Sequence, residues 1–228
     1  MEQLGAMNVK LISYSQPNPE LGEQADSSVQ DLIAFCARVS NPSNQFNKET
    51  NEKLLGYLSR HKHWSPFEMV SACLEIETTR DIARQILRHR SFSFQEFSQR
   101  YADPVKDLNF ELREARLQDQ KNRQNSVTLD PENNEEHARL LITWDEMQQE
   151  VIDTAINAYE WAINNGIAKE QARAVLPEGN TVSRMYMNGT LRSWIHYIEL
   201  RRENGTQKEH MDIAVACAEA ISKIFEIK

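Results

Sequence analysis

The chain has 228 residues, 40% of them hydrophobic and 26% charged, which is the balance of a globular protein and excludes a fibrous or disordered one. With 34 acidic side chains against 26 basic ones the net charge is -8, a field that repels nucleic acid and anionic membrane surfaces. With only 7 Gly and 7 Pro there is little room for linkers, and the length fits one domain, expected over residues 1–228.

Three cysteines, Cys36, Cys73 and Cys217, lie far apart with no C-x-x-C pair. They predict buried free thiols in a reducing compartment, with the cytoplasm as the expected location. No apolar run approaches the roughly 20 residues of a membrane span. No signal-peptide pattern appears either. Residues 1–6, ahead of Met7, read equally as a tag remnant or a native extension.

Apolar and polar residues alternate over 7–16, which predicts a strand. Over 27–40, Val29, Leu32, Ile33, Cys36 and Ala37 share one face and predict a helix. Residues 43–46 read as a loop, and 48–62 as a helix ending in cations that suit its C-terminus. A Ser65-Pro66 turn opens a strand to residue 79, with Val70, Ala72, Leu74 and Ile76 alternating. Thr78-x-x-Asp81 has capping-box form and predicts a helix over 81–89.

Residues 105–135 are polar and poor in large apolar side chains, so helical fragments and loops on the surface are expected. From 135 to 165, Leu141, Ile142, Val151, Ile152, Ala155 and Tyr159 recur at helical spacing, and Gly166 ends that long helix. A helix over 168–175, a strand over 181–187 and helices over 190–202 and 207–226 complete the chain. The fold expected is α+β, a small mixed or antiparallel sheet flanked by helices.

Positive charge gathers in "RHRSFSFQEFSQRY", residues 88–101. Arg80, Arg84 and Arg88 share a helix face. For Arg80 and Arg84 the expectation is a solvated face paired with carboxylates. Gln85 lies on the side of Arg88, and Arg88, His89 and Arg90 are expected to form an anion site, because guanidinium forks match phosphate oxygens. Ser98, Gln99 and Arg100 gather hydroxyl, amide and guanidinium donors that could hold a phosphate. Glu96 either pairs with Arg90 or Arg100 or accepts from a ribose hydroxyl, and composition does not separate the two.

His61-x-His63 has the form of a metal pair without a third ligand, so no metal site is expected. In "LRSWIHYIELRR" (191–202), Leu191, Trp194, Ile195 and Ile198 form a buried stripe, while Arg192, His196 and Glu199 share another face. The ordinary reading of such a segment is a surface helix with a charge ladder. There is no nucleophile elbow, dinucleotide glycine signature or Walker loop. No cysteine sits in the basic, polar context that activates a thiol. The residues leave three readings open. One is an enzyme for a phosphorylated anion, and another a protein with surface arginines paired structurally. The third is a module stacking RNA or single-stranded DNA on Arg and Phe, which the net charge disfavours.

Arg88-His89-Arg90, the spacer Ser91–Phe97, then Ser98-Gln99-Arg100-Tyr101 resembles the signature of the flavin-dependent thymidylate synthases. "HWSPFE" (63–68), "QARAVLP" (171–177) and "LRSWIHYIELR" (191–201) resemble three further elements of that family, in order. The resemblance covers most of 30–226 and is weakest over 105–145.

It implies an α/β homotetramer that binds FAD, is reduced by NADPH and methylates dUMP with methylenetetrahydrofolate, without a cysteine nucleophile. By resemblance, FAD is held by Ser65 of a neighbouring subunit and by Arg88, His89, Arg90, Glu96, Thr190, Arg192 and His196. The residues implied for dUMP are Gln85, Arg88, Glu96, Ser98, Gln99, Arg100, Arg173 and Arg201, with Arg201 catalytic at the uracil edge. His63 is implied on the flavin side. Gln95 and Thr190 depart from the family pattern, where many members carry Asn.

Overall fold

The computed structural model describes residues 8–21 and 28–226; the readings of residues 1–6, Met7 and Ser27 fall outside it. In chain order it contains β1 (Asn8–Tyr14), α1 (Val29–Ala37), α2 (Asn51–Arg60), β2 (Ser71–Thr79), α3 (Arg80–Ile86), β3 (Ser93–Glu96) and α4 (Pro104–Asp107). Then come β4 (Arg116–Gln118), β5 (Ser126–Thr128), α5 (Glu135–Asn164), α6 (Lys169–Ala172), β6 (Val182–Thr190), α7 (Leu191–Arg202) and α8 (Lys208–Ser222). A four-stranded sheet has the order β1-β2-β6-β3, with each neighbouring pair antiparallel. The fold is therefore the expected α+β one with an antiparallel sheet.

The pleat of the central strands explains the core. Ala72, Leu74 and Ile76 of β2 and Met185 and Met187 of β6 point to one face and are buried there. Onto that face pack Ile33 of α1, Leu55 of α2, Ile82 and Ile86 of α3, Trp194 of α7 and Ile213 of α8. The Trp194 indole donates to the Ala72 carbonyl at 3.0 Å, so this large side chain is buried without an orphaned N–H. The opposite face of the sheet is polar: Lys10 pairs with Glu75 and Arg184 with Glu77.

Several expected boundaries move. Residues 65–68 form a 3-10 turn, and the strand starts at Ser71. The Thr78/Asp81 capping box is not formed. Thr79 is the N-cap of α3, and the first N–H groups of that helix are satisfied from the loop before β6: Arg80 N–H donates to the Thr181 carbonyl and Asp81 N–H to that of Glu178. Where the box was expected, the Thr79 hydroxyl donates to the Asp81 carboxylate at 2.6 Å.

Residues 93–96, just before the donors expected at Ser98, Gln99 and Arg100, form an edge strand that the sequence did not suggest. Ser93 pairs with Asn188 and Glu96 with Met185. The surface reading of 105–135 also fails in part. Residues 116–118 and 126–128 form a hairpin, Ala115 is buried, and the Arg113 and Arg116 side chains are largely covered. Helix α5 runs as expected, N-capped by Asn134 and closed at Gly166, whose φ of 77° lies in the left-handed region that glycine adopts without strain. Among the described residues no helix is long and apolar enough to cross a membrane.

Candidate active site

Helix α3 delivers Gln85 to its last turn, and the chain then turns so that Arg88, His89 and Arg90 follow at its exposed end. Phe92 anchors this turn. Its ring stands edge-on to Trp194 at 4.8 Å and lies 5.9 Å from Tyr197. Ser193 on α7 adds a hydrogen bond to the Ser91 carbonyl, 3.3 Å long.

The same helix, α7, supplies Arg201, whose Nε donates to His89 Nε2 at 3.0 Å. An arginine only donates, so Nε2 of His89 is the lone-pair nitrogen and Nδ1 carries the proton. Burial and the neighbouring Arg201 and Arg88 charges lower the His89 pKa to about 4, so the ring is neutral at pH 7. His89 thus presents a single N–H donor edge. The terminal guanidinium nitrogens of Arg201 have no partner among the described residues. The same holds for the guanidinium groups of Arg88 and Arg90, and both of these residues are exposed.

Glu96 is engaged elsewhere than expected. Ser183 donates its hydroxyl to Oε1 at 2.9 Å, Arg84 lies 3.3 Å from Oε2, and Arg80 lies 3.9 Å from Oε1. Neither Arg90 nor Arg100 pairs with it. Arg80 and Arg84 are paired with carboxylates as anticipated, but Arg80 is buried, held by Glu178 at 2.6 Å, and is not part of a solvated face.

Arg100 and Arg173 meet at one residue. Arg100 pairs with the Glu170 carboxylate at 3.1 Å, and Arg173 Nε donates to the Glu170 carbonyl at 3.4 Å. Just before Arg100, the Ser98 hydroxyl oxygen accepts from the Arg100 N–H. Gln99 is buried, and among the described residues its Nε2 has no hydrogen-bond partner.

A third group forms where α7 meets the 65–68 turn. Arg192 pairs with Glu68 at 2.6 Å, and His196 stands edge-on to Trp64 at 4.9 Å, which brings Ser65, Arg192 and His196 to one surface. Thr190 spends its hydroxyl on the N-cap of α7, accepting from Ser193 N–H at 3.3 Å. His61 stacks on Tyr57 with ring centroids 4.0 Å apart, and His63 meets the edge of the same ring. Ser193 links the His89 and Arg192 groups through its bonds to the Ser91 carbonyl and to Thr190, and within the described residues no hydrogen bond or ion pair joins the Glu170 group to either.

Residues 23–226 match the family described as thymidylate synthase complementing protein. A probable flavin-dependent thymidylate synthase of Paramecium bursaria Chlorella virus 1 is 48% identical over 219 residues, covering 96% of this chain and 95% of that one. A flavin-dependent thymidylate synthase of a Synechocystis strain is 47% identical over 220 residues, with 96% of each chain covered. This chain belongs to that family. In fold it also resembles a UMP/dUMP methylase, PolB of Streptomyces cacaoi, solved with 5-bromo-dUMP, at a TM-score of 0.77 and 24% identity over 98% of this chain and 93% of that one.

The family implies a flavin and a nucleotide, and the free donors fit such anionic ligands. Among the described residues Arg88, Arg90 and Arg201 carry unmatched positive charge, and Gln99 keeps a buried amide with nothing to donate to. Burial pushes Cys36, Cys73 and Cys217 all up in pKa, away from the thiolate that a nucleophile needs. Only Cys217 is fully buried; Cys36 and Cys73 are half-covered, which corrects the expectation of three buried thiols.

Sequence reading missed His210 and Tyr197, which connect to Gln85 and His89. It also missed the cluster in which Glu209 receives Arg113 and Arg116. One signal was available for His210: it is the polar exception on the otherwise apolar stripe of Ile213, Ala214, Cys217 and Ile221.

Proposed function

We propose that the protein converts dUMP to dTMP as a flavin-dependent thymidylate synthase, with FAD as cofactor and NADPH and methylenetetrahydrofolate as co-substrates. The observation that carries the reading is the Arg201–His89 hydrogen bond. It joins two distant sequence elements into one half-buried site whose remaining donors are unspent.

Arg88, His89, Arg90, Arg192, His196, Thr190 and Glu96 would hold FAD, with Ser65 reaching a neighbouring subunit's site. Gln85, Arg88, Glu96, Ser98, Gln99, Arg100, Arg173 and Arg201 would hold dUMP. Bound FAD supplies the hydride, which is the cofactor's own chemistry. The free end of Arg201 would sit at the uracil edge. A cation there favours the ionised form of N3 and raises electron density at C5, so that C5 becomes the nucleophile without help from a thiol. Arg100 and Arg173 would bind the phosphate by charge-assisted hydrogen bonds.

A homotetramer is supported by α5, which exposes Leu140, Ile142, Trp144, Met147, Val151 and Trp161 along its length, more apolar surface than a lone chain leaves in water. Free thiols agree with a cytoplasmic enzyme.

Paired substitutions separate the two roles. Arg100→Ala removes a charged hydrogen bond and is expected to weaken dUMP binding by roughly 10- to 100-fold. Arg201→Ala is expected to slow dTMP formation by roughly 100- to 1,000-fold, the scale for losing one stabilising donor in a reacting site. If both variants keep their dUMP affinity and their rate, the proposed assignment is wrong.

A further inference from the structure

Helix α8 carries a histidine on its buried stripe. His210 is fully buried, with Nδ1 3.2 Å from Gln85 Oε1 and Nε2 3.1 Å from the Tyr197 hydroxyl. A carbonyl oxygen only accepts, so Nδ1 carries the proton. The neutral ring then has its lone pair at Nε2, and the Tyr197 O–H donates to it.

The other end of the chain of bonds gives the same direction independently. The Glu209 carboxylate only accepts, so Gln207 Nε2 donates to it at 3.0 Å. The Gln207 oxygen is then free to accept from Gln85 Nε2 at 2.8 Å, which turns the Gln85 carbonyl towards His210. Glu209 is itself fixed by Arg113 and Arg116. The bonds therefore run one way, from Tyr197 through His210, Gln85 and Gln207 to Glu209. Burial, together with the nearby Arg201 charge, lowers the His210 pKa to about 3, so the ring stays neutral.

We infer that His210 is a positioning residue: it holds the Gln85 amide with its carbonyl oxygen turned inward, leaving the second amide hydrogen as the group offered to substrate. The ligand atom matched at Gln85 is then an acceptor, an oxygen of a pyrimidine nucleotide. This rests on the reading of Gln85 as a dUMP contact.

Two polar replacements of similar size separate the links. The amide nitrogen of His210→Asn stands where Nδ1 was and keeps the donation to Gln85. That of His210→Gln reaches the Nε2 position, towards Tyr197, and loses Gln85. For the flavin-loaded protein, His210→Asn is expected to bind dUMP within about threefold of wild type and His210→Gln about tenfold more weakly. In a Gln85→Ala background the two should bind alike, because the effect travels through Gln85.

The 15N spectrum of imidazole-labelled wild type should show His210 protonated at Nδ1, with a signal that moves in Gln85→Ala. An Nε2-protonated His210 would overturn the inference. So would His210→Gln binding as tightly as His210→Asn while Gln85→Ala binds weakly. If Gln85→Ala leaves dUMP affinity unchanged, the dUMP role of Gln85 has failed, and the His210 link to Gln85 is then decided by the tautomer alone.

Discussion

A methyl group added at Gly189 strikes the anchor of the Arg-His-Arg turn. Gly189 sits in β6 opposite Ala72, with the Phe92 ring over it. A Cβ there would lie 2.4 and 2.6 Å from two ring carbons of Phe92. Carbon atoms settle at about 3.5–4.0 Å, so the ring must retreat by more than about 1 Å. It has little space to do so: Phe92 is 9% exposed and wedged against Trp194 and Tyr197. Overpacking of this kind costs about 1–3 kcal/mol, and disturbing the ring pairs adds about 0.5–1.5 kcal/mol each. Gly189→Ala is therefore expected to lose about 2–6 kcal/mol, read as a lower urea midpoint of the flavin-loaded protein, and to retain flavin less well. Phe92→Leu in the same chain should relieve the clash, so that the double variant is more stable than the sum of the single losses by about 1 kcal/mol or more. A Gly189→Ala protein as stable as wild type, or strictly additive losses, would refute this account of how the turn is held.

Glu209→Gln leaves the largely covered Arg113 and Arg116 without their shared anion and should destabilise by about 3 kcal/mol in urea unfolding, the scale for breaking one side of a buried pair. His89 and His210 have folded pKa values of about 4 and about 3, below the ordinary 6.5. The unfolded chain therefore binds more protons as pH falls below about 6.5, and stability should decline from there down towards pH 3 and be flat, as far as these two rings are concerned, above 6.5. His210→Asn should flatten part of that decline, by up to about 1.4 kcal/mol per pH unit for its one proton. Urea midpoints measured at several pH values check both statements; a decline of equal slope in the variant would remove His210 from the explanation.

The parts of the fold that were legible in sequence are those whose neighbours in sequence set their environment. Ala72, Leu74 and Ile76 alternate because one face of β2 meets helices, and Ile152, Ala155, Tyr159 and Ala162 repeat because one side of α5 is covered. The edge strand β3 was hidden by its charge and its shortness, although Phe94 and Glu96 alternate inwards in it, continuing from Phe92. Capping of α3 misled because the partners of its N–H groups are carbonyls about a hundred residues away, in the 178–181 loop. Charge in 111–116 looked solvated because nothing local reveals that Glu209 will neutralise Arg113 and Arg116 from α8. The candidate site stood in sequence only as separate short elements and their residue types. What could not be read was which elements touch: Arg201 with His89, Arg100 and Arg173 at Glu170, and Glu96 turned to Arg80, Arg84 and Ser183.

The central claim is most directly tested by supplying the purified protein with FAD, NADPH, methylenetetrahydrofolate and dUMP and measuring dTMP by mass spectrometry, with one component omitted at a time. The account predicts dTMP that carries the folate's one-carbon unit, disappears with every omission, and still forms when Cys36, Cys73 and Cys217 are all replaced by Ser in protein that remains folded. Contradiction would come from a folded, flavin-loaded protein that oxidises NADPH yet makes no dTMP, or from dTMP formation that stops when the cysteines are replaced.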